Sequence, residues 1–134
     1  MPTPFRRIAN YYDHVRSIVA KRNMVHASRK ILLDRESLYS GDVTCDHLEF
    51  PSGAILKFYE NVTIHDGEIY RLQYSFQYKR PDGYYFRYDK DPNRARMPDH
   101  AECHLHVNNE EPRYITHETN FEEIFTFVMA CFDK

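Results

Sequence analysis

Two short stretches hold the side chains best suited to chemistry. "FRYD" at residues 86–89 sets Arg87 and Asp89 two places apart, and "HAECHLH" at 100–106 brings His100, His104 and His106 soon after. One imidazole can take a proton from a 2′-hydroxyl while a protonated one gives a proton to the leaving oxygen. Guanidinium groups at Arg87 and Arg71 would stabilise the dianionic phosphorane of phosphodiester cleavage. Asp89 would fix a histidine tautomer or the orientation of an arginine, and the 2′-hydroxyl would select RNA over DNA. This account needs no cofactor. A second account is a divalent metal at His100, His104 and His106, with Asp99, Glu102 or Cys103 as further ligands. A third is no chemistry at all, with strand histidines that have no role and an Arg87–Asp89 surface pair worth little energy.

Other chemistries lack a pattern. There is no phosphate-binding glycine loop, dinucleotide fingerprint, nucleophile elbow or metalloprotease helix. Cys103 adjoins His104, but strand alternation sends the two to opposite faces and makes Cys103 a core residue.

From residue 42 the hydrophobic period is two. Three loops, "PSG" at 51–53, "HDG" at 65–67 and "PDG" at 81–83, each end in Gly. That form predicts three-residue hairpin connections with the glycine left-handed. The result is a meander of strands near 43–50, 54–64, 68–80 and 84–89. In this register Leu48 opposes Leu56, Phe58 opposes Tyr74, Leu56 opposes Phe76, Tyr78 opposes Phe86, and Phe76 opposes Tyr88, so one face is apolar. A two-residue turn at Asp66–Gly67 would set Lys57 against Phe76, which argues for the longer loop. The other face is expected to carry Cys45, His47, Glu49, Lys57, Tyr59, Arg71, Gln73, Ser75, Gln77, Arg87 and Asp89. "ECHLHV" is a fifth strand that adds His104 and His106 to this polar face, and "PRYITH" is a short edge segment.

Helical spacing of Ile8, Tyr11, Tyr12, Val15, Ile18 and Val19 predicts an amphipathic helix within residues 5–23, with Arg6, Arg7, Arg16, Lys21 and Arg22 largely off the stripe. Residues 25–39 are ambiguous: "ILL" reads as a strand or as the end of a second helix, and the strand is preferred. Thr119 or Asn120 caps a last helix whose first turn holds Glu122 and Glu123. The fold class is α+β: an antiparallel meander of five to six strands, with N- and C-terminal helices on one face. The 134 residues form one domain, 1–134, made of a basic helix (1–24) and a core (42–132).

Composition narrows the setting. Eleven Tyr and nine Phe suit a half-buried sheet. No apolar run is long enough to span a membrane, and the N-terminus does not read as a secretory signal. Three cysteines at unrelated spacings suit a reduced, cytoplasmic protein. Residues 1–40 hold eight Lys/Arg against three Asp/Glu, a basic arm that suits a polyanion or an acidic partner, or else a solvated helix face.

The order "FPSGAILKFYENV", "YRLQYSFQYKRPDGYYFRYDKDP", "MPDHAECHLHV", then a helix, resembles the TumE-like family of toxin components of bacterial toxin–antitoxin modules, over about residues 42–132. Its most specific parts are Phe86–Asp89 and the "PxHxxxHxH" segment from Pro98 to His106. The resemblance implies a cytoplasmic toxin that is silenced by a cognate antitoxin protein, and it favours ribonuclease chemistry. The matching positions are Arg87, Tyr88, Asp89, His100, His104 and His106, with Tyr88 assigned to the core by register. Where members carry a further histidine pair after "RYD", this chain has Asn93, Arg94 and Arg96. That disfavours a metal and favours phosphate contacts. The leading expectation is a metal-independent ribonuclease: His104, His106 and His100 with Arg87 and Asp89 for the reaction, and Arg71, Lys57, Tyr59, Arg94 and Arg96 for substrate. The alternatives are a non-catalytic protein- or RNA-binding module, or a metal-dependent enzyme on the HxH strand. A homo-oligomer is compatible with each.

Overall fold

The computed structural model describes residues 5–22, 26–27 (backbone only), 30–92, 102–109 and 111–132. The elements are α1 (Ile8–Ala20), β1 (His26–Ala27), β2 (Leu32–Arg35), β3 (Ser40–Glu49), β4 (Ile55–His65), β5 (Glu68–Lys79), β6 (Tyr85–Lys90), β7 (Cys103–Val107), β8 (Arg113–Ile115) and α2 (Phe121–Cys131). All eight strands join one antiparallel sheet, an α+β architecture. From β3 to β8 it is a meander in chain order, and β1 and β2 lie end to end along the outer edge of β3. The count exceeds the five to six expected because the 25–39 stretch supplies two short strands.

Both helices cover one face. From α1 come Ile8, Tyr11, Val15 and Val19, and from α2 come Phe121, Ile124, Phe125 and Val128, all buried. They pack on the even-numbered side chains of β4 and the far half of β5. The core is largely aromatic: Phe58 meets Phe121 at 4.7 Å between ring centroids, and Tyr78 meets Phe132 at 5.3 Å. Such ring pairs add ~0.5–1.5 kcal/mol each beyond the area they bury. Asn120 caps α2, its Oδ1 accepting from the Glu123 N–H at 2.9 Å. The start of α1 has no acidic residue to meet its dipole, and Arg6 and Arg7 oppose it. Tertiary contacts hold it instead: Ile8 is fully buried, and its N–H donates to the Leu38 carbonyl at 3.0 Å. Among the described residues neither helix is long and apolar enough to cross a membrane. The three cysteines are free thiols.

Two of the three hairpins are as expected. The 51–53 and 81–83 loops share one pattern: Gly53 N–H donates to Phe50 and Gly83 N–H to Arg80, with both glycines at positive φ. Leu48 faces Leu56, Tyr78 faces Phe86, and Phe76 faces Tyr88. The middle hairpin corrects the expectation. Asp66 (φ 52°) and Gly67 (φ 75°) are both left-handed, so the connection is a two-residue turn with His65 opposite Glu68. A bulge then follows: Val62 pairs with Arg71 and Asn61 with Gln73, which leaves Leu72 as the extra residue. Beyond it Phe58 faces Phe76 and Leu56 faces Tyr78, not Tyr74 and Phe76. A second bulge lies between Cys45 and Leu48. It puts Cys45 on the helix-covered face opposite Phe58, 2% exposed, where burial raises its thiol pKa, and not on the polar face.

Candidate functional site

The uncovered face is built from cross-strand rows, because residues paired across an antiparallel ladder share a side. One row runs Lys57, Gln77, Arg87, His106, Arg113 from β4 to β8. The next runs Thr44, Tyr59, Ser75, Asp89, His104, Ile115 from β3 to β8. Arg87 is therefore directly opposite His106, and Asp89 directly opposite His104.

Asp89 joins the rows. Its Oδ2 accepts from Arg87 Nε at 2.8 Å and lies 3.3 Å from His106 Nε2. A carboxylate in that place holds a guanidinium and an imidazole in fixed relation. The carboxylate and guanidinium are about one-fifth exposed, but the imidazoles are not open to solvent: His104 is 2% and His106 is 4% exposed. The open part of the face is a trough of about 390 Å³, lined by Thr44, Asp46, Lys57, Tyr59, Ser75, Gln77, Arg87 and Asp89. It ends at the Arg87–Asp89 pair, behind which His106 sits. Burial, followed by the charge of Asp42, raises the Tyr59 pKa and keeps it a neutral phenol.

The expected residues fall into three groups. Lys57, Tyr59, Arg87, Asp89, His104 and His106 share the polar face. Arg71 does not. The bulge at Leu72 turns it to the helix side, where its Nε donates to Glu60 Oε2 at 2.7 Å and its Nη2 donates to the Tyr11 hydroxyl at 3.2 Å. Glu60 is fully buried and also accepts from the Tyr11 hydroxyl. Arg71 thus compensates an interior carboxylate and is out of the trough; the flanking charge of Glu60 raises its pKa against the opposing effect of burial. His100, Arg94 and Arg96 lie outside the described residues. The HxH metal set includes His100 and so lies partly outside the described residues; among the described residues no three His, Cys, Asp or Glu side chains gather as metal ligands.

Arg113 was not anticipated as a site residue. It faces His106 and chelates Glu111 Oε1 at 2.6 Å through Nη2, while its Nη1 is buried without a hydrogen-bond partner among the described residues. The signal was present: alternation through "RYI" puts Arg113 opposite in sense to Tyr114, on the side of the histidines. Gln77 and Ser75, placed on this face by period alone, form the trough's floor.

A comparison with curated proteins and one with solved structures found no match. A comparison with family models found the family described as Toxin TumE, matched over residues 17–131, which starts within α1 and takes in all eight strands and α2. The chain belongs to that toxin family.

Proposed function

We propose that this protein is a toxin that cleaves RNA at the polar face of its sheet, without a metal, and that an antitoxin protein made with it silences it. The observation that carries the reading is the β6–β7 register, which sets Arg87 against His106 with Asp89 Oδ2 in reach of both. A phosphate in the trough meets the Arg87 guanidinium first. Drawing that group toward the phosphate frees Asp89 to act on the imidazole alone. The 2′-oxygen attacks phosphorus as its proton passes to neutral His106; the bond from phosphorus to the 5′-oxygen breaks, and that oxygen takes a proton from the protonated His104 imidazole. The dianionic phosphorane is held by Arg87. Arg113 supports the same reading: a buried N–H without an acceptor costs about 1–3 kcal/mol, which an anion beside it would offset.

The near-complete burial of both imidazoles favours one other reading, in which the trough holds RNA and does not cut it. A time course of RNA degradation by the pure protein, with and without EDTA, separates them. Cleavage indifferent to EDTA, lost in Arg87→Ala and His106→Ala, is expected. Cleavage lost with EDTA, or salt-sensitive RNA retention with no cleavage, overturns it. Because His106 is buried, circular dichroism must show the variants folded, and Arg87→Ala, at a position about one-fifth exposed, serves as the second test.

A further inference from the structure

The trough continues past Gln77 into an adjoining hollow of about 470 Å³ that shares Asp46, Lys57 and Gln77 with it and reaches Lys79. Lys57 lies opposite Gln77 on β4, and Arg87 lies opposite it on β6. Lys79 is two places along β5 and is the diagonal neighbour of both cations. Diagonal pairs of this kind lie about 7–8 Å apart, within reach of long side chains. Arg87 is held by Asp89, but Lys57 and Lys79 are exposed and make no ion pair among the described residues. One amide is thus ringed by three cations, two of which make no ion pair among the described residues.

We infer that Lys57, Lys79 and Gln77 form a second subsite, which seats the phosphate and base next to the reacting one, and that its ligand is single-stranded RNA. This rests on the RNA reading above and extends it. The lysines take the phosphate as mobile point charges. Gln77, which can both donate and accept, meets a base edge, and the Asp46 carboxylate accepts from a base amino group. Tyr59 offers a ring for stacking in the first hollow. A duplex is excluded by shape. Reading it requires an element that protrudes into a groove, whereas a hollow on a sheet face admits bases already splayed from their neighbours.

Fluorescence anisotropy tests this with a labelled 2′-O-methyl single strand, which has no 2′-hydroxyl to attack, and with the duplex it forms with its complement. The single strand is expected to bind at least tenfold more tightly. Lys57→Ala/Lys79→Ala should weaken it about tenfold and flatten the slope of log affinity against log salt by about 0.7, the share of the one phosphate whose contact is lost. Equal binding of duplex, or an unchanged slope in the double variant, overturns the subsite. The two readings fail separately: lysine-dependent binding without cleavage of ordinary RNA removes the ribonuclease and leaves the subsite, while cleavage with lysine-independent binding does the reverse.

Discussion

Replacing Arg71 by Met should be among the most damaging single changes available in this fold. Glu60 is fully buried, and its Oε2 takes the Arg71 Nε–H at 2.7 Å, with the Arg71 side chain only 14% exposed. Removing one partner of such a pair leaves an uncompensated interior charge, at about 3–5 kcal/mol. Unfolding entropy near 2.1 cal/mol/K per residue gives roughly 0.28 kcal/mol/K for a chain of this length, so Tm should fall by about 10–18 °C. Tyr11→Phe removes one donor from the same carboxylate and should cost about 1–3 kcal/mol. The triple change Tyr11→Phe, Glu60→Met, Arg71→Met removes every polar group of the cluster and should recover most of the loss, because apolar replacements of buried pairs are often neutral. The assay is thermal unfolding followed by circular dichroism at pH 7. A shift below about 4 °C for Arg71→Met, or a triple variant less stable than Arg71→Met, would refute the claim that this guanidinium compensates Glu60.

Three further outcomes follow from the same geometry. Burial first, then the Glu60 charge, raises the Tyr11 pKa in the fold, so its stabilising contribution is complete below about pH 10 and lost as pH rises toward the folded value. Tyr11→Phe should therefore flatten the decline of Tm above pH 10, in part only, since burial also raises Tyr74. Asn120→Ala should lose about 1 kcal/mol of stability by denaturant unfolding while Asn120→Asp keeps it, because either oxygen can accept from the Glu123 N–H. Asp89→Asn should leave stability within about 1 kcal/mol but lower RNA cleavage about 100-fold or more, measured as initial rate, by loosening Arg87 and His106 together.

The sheet was legible because alternation is strong where it matters. Leu56, Phe58, Tyr74, Phe76, Tyr78 and Phe86 face one way in the expected register and in the observed one alike, and the side of the sheet taken by His104 and His106 followed from it. The bulges were not legible. At Asp66–Gly67 a two-residue turn and one extra residue restore the same parity that a three-residue loop would give, so the pattern of apolar side chains cannot tell the two apart. Beyond the bulge the partners differ by two residues but the faces agree, so only side chains between turn and bulge were given the wrong face, Arg71 among them. Cys45 was misplaced by the other bulge. Glu60 was invisible as a buried charge because its partners, Tyr11 and Arg71, are 49 and 11 residues away.

Leu72 has no counterpart on β4, and it is 63% exposed. Excising it would join Arg71 directly to Gln73 and leave Val62 and Asn61 with the neighbours they already have. Mid-strand, the chain can thus shorten by one position without turning the sheet inside out. The same cut one place earlier would remove the counter-charge of the interior carboxylate, so length is forgiven at Leu72 where chemistry at Arg71 is not.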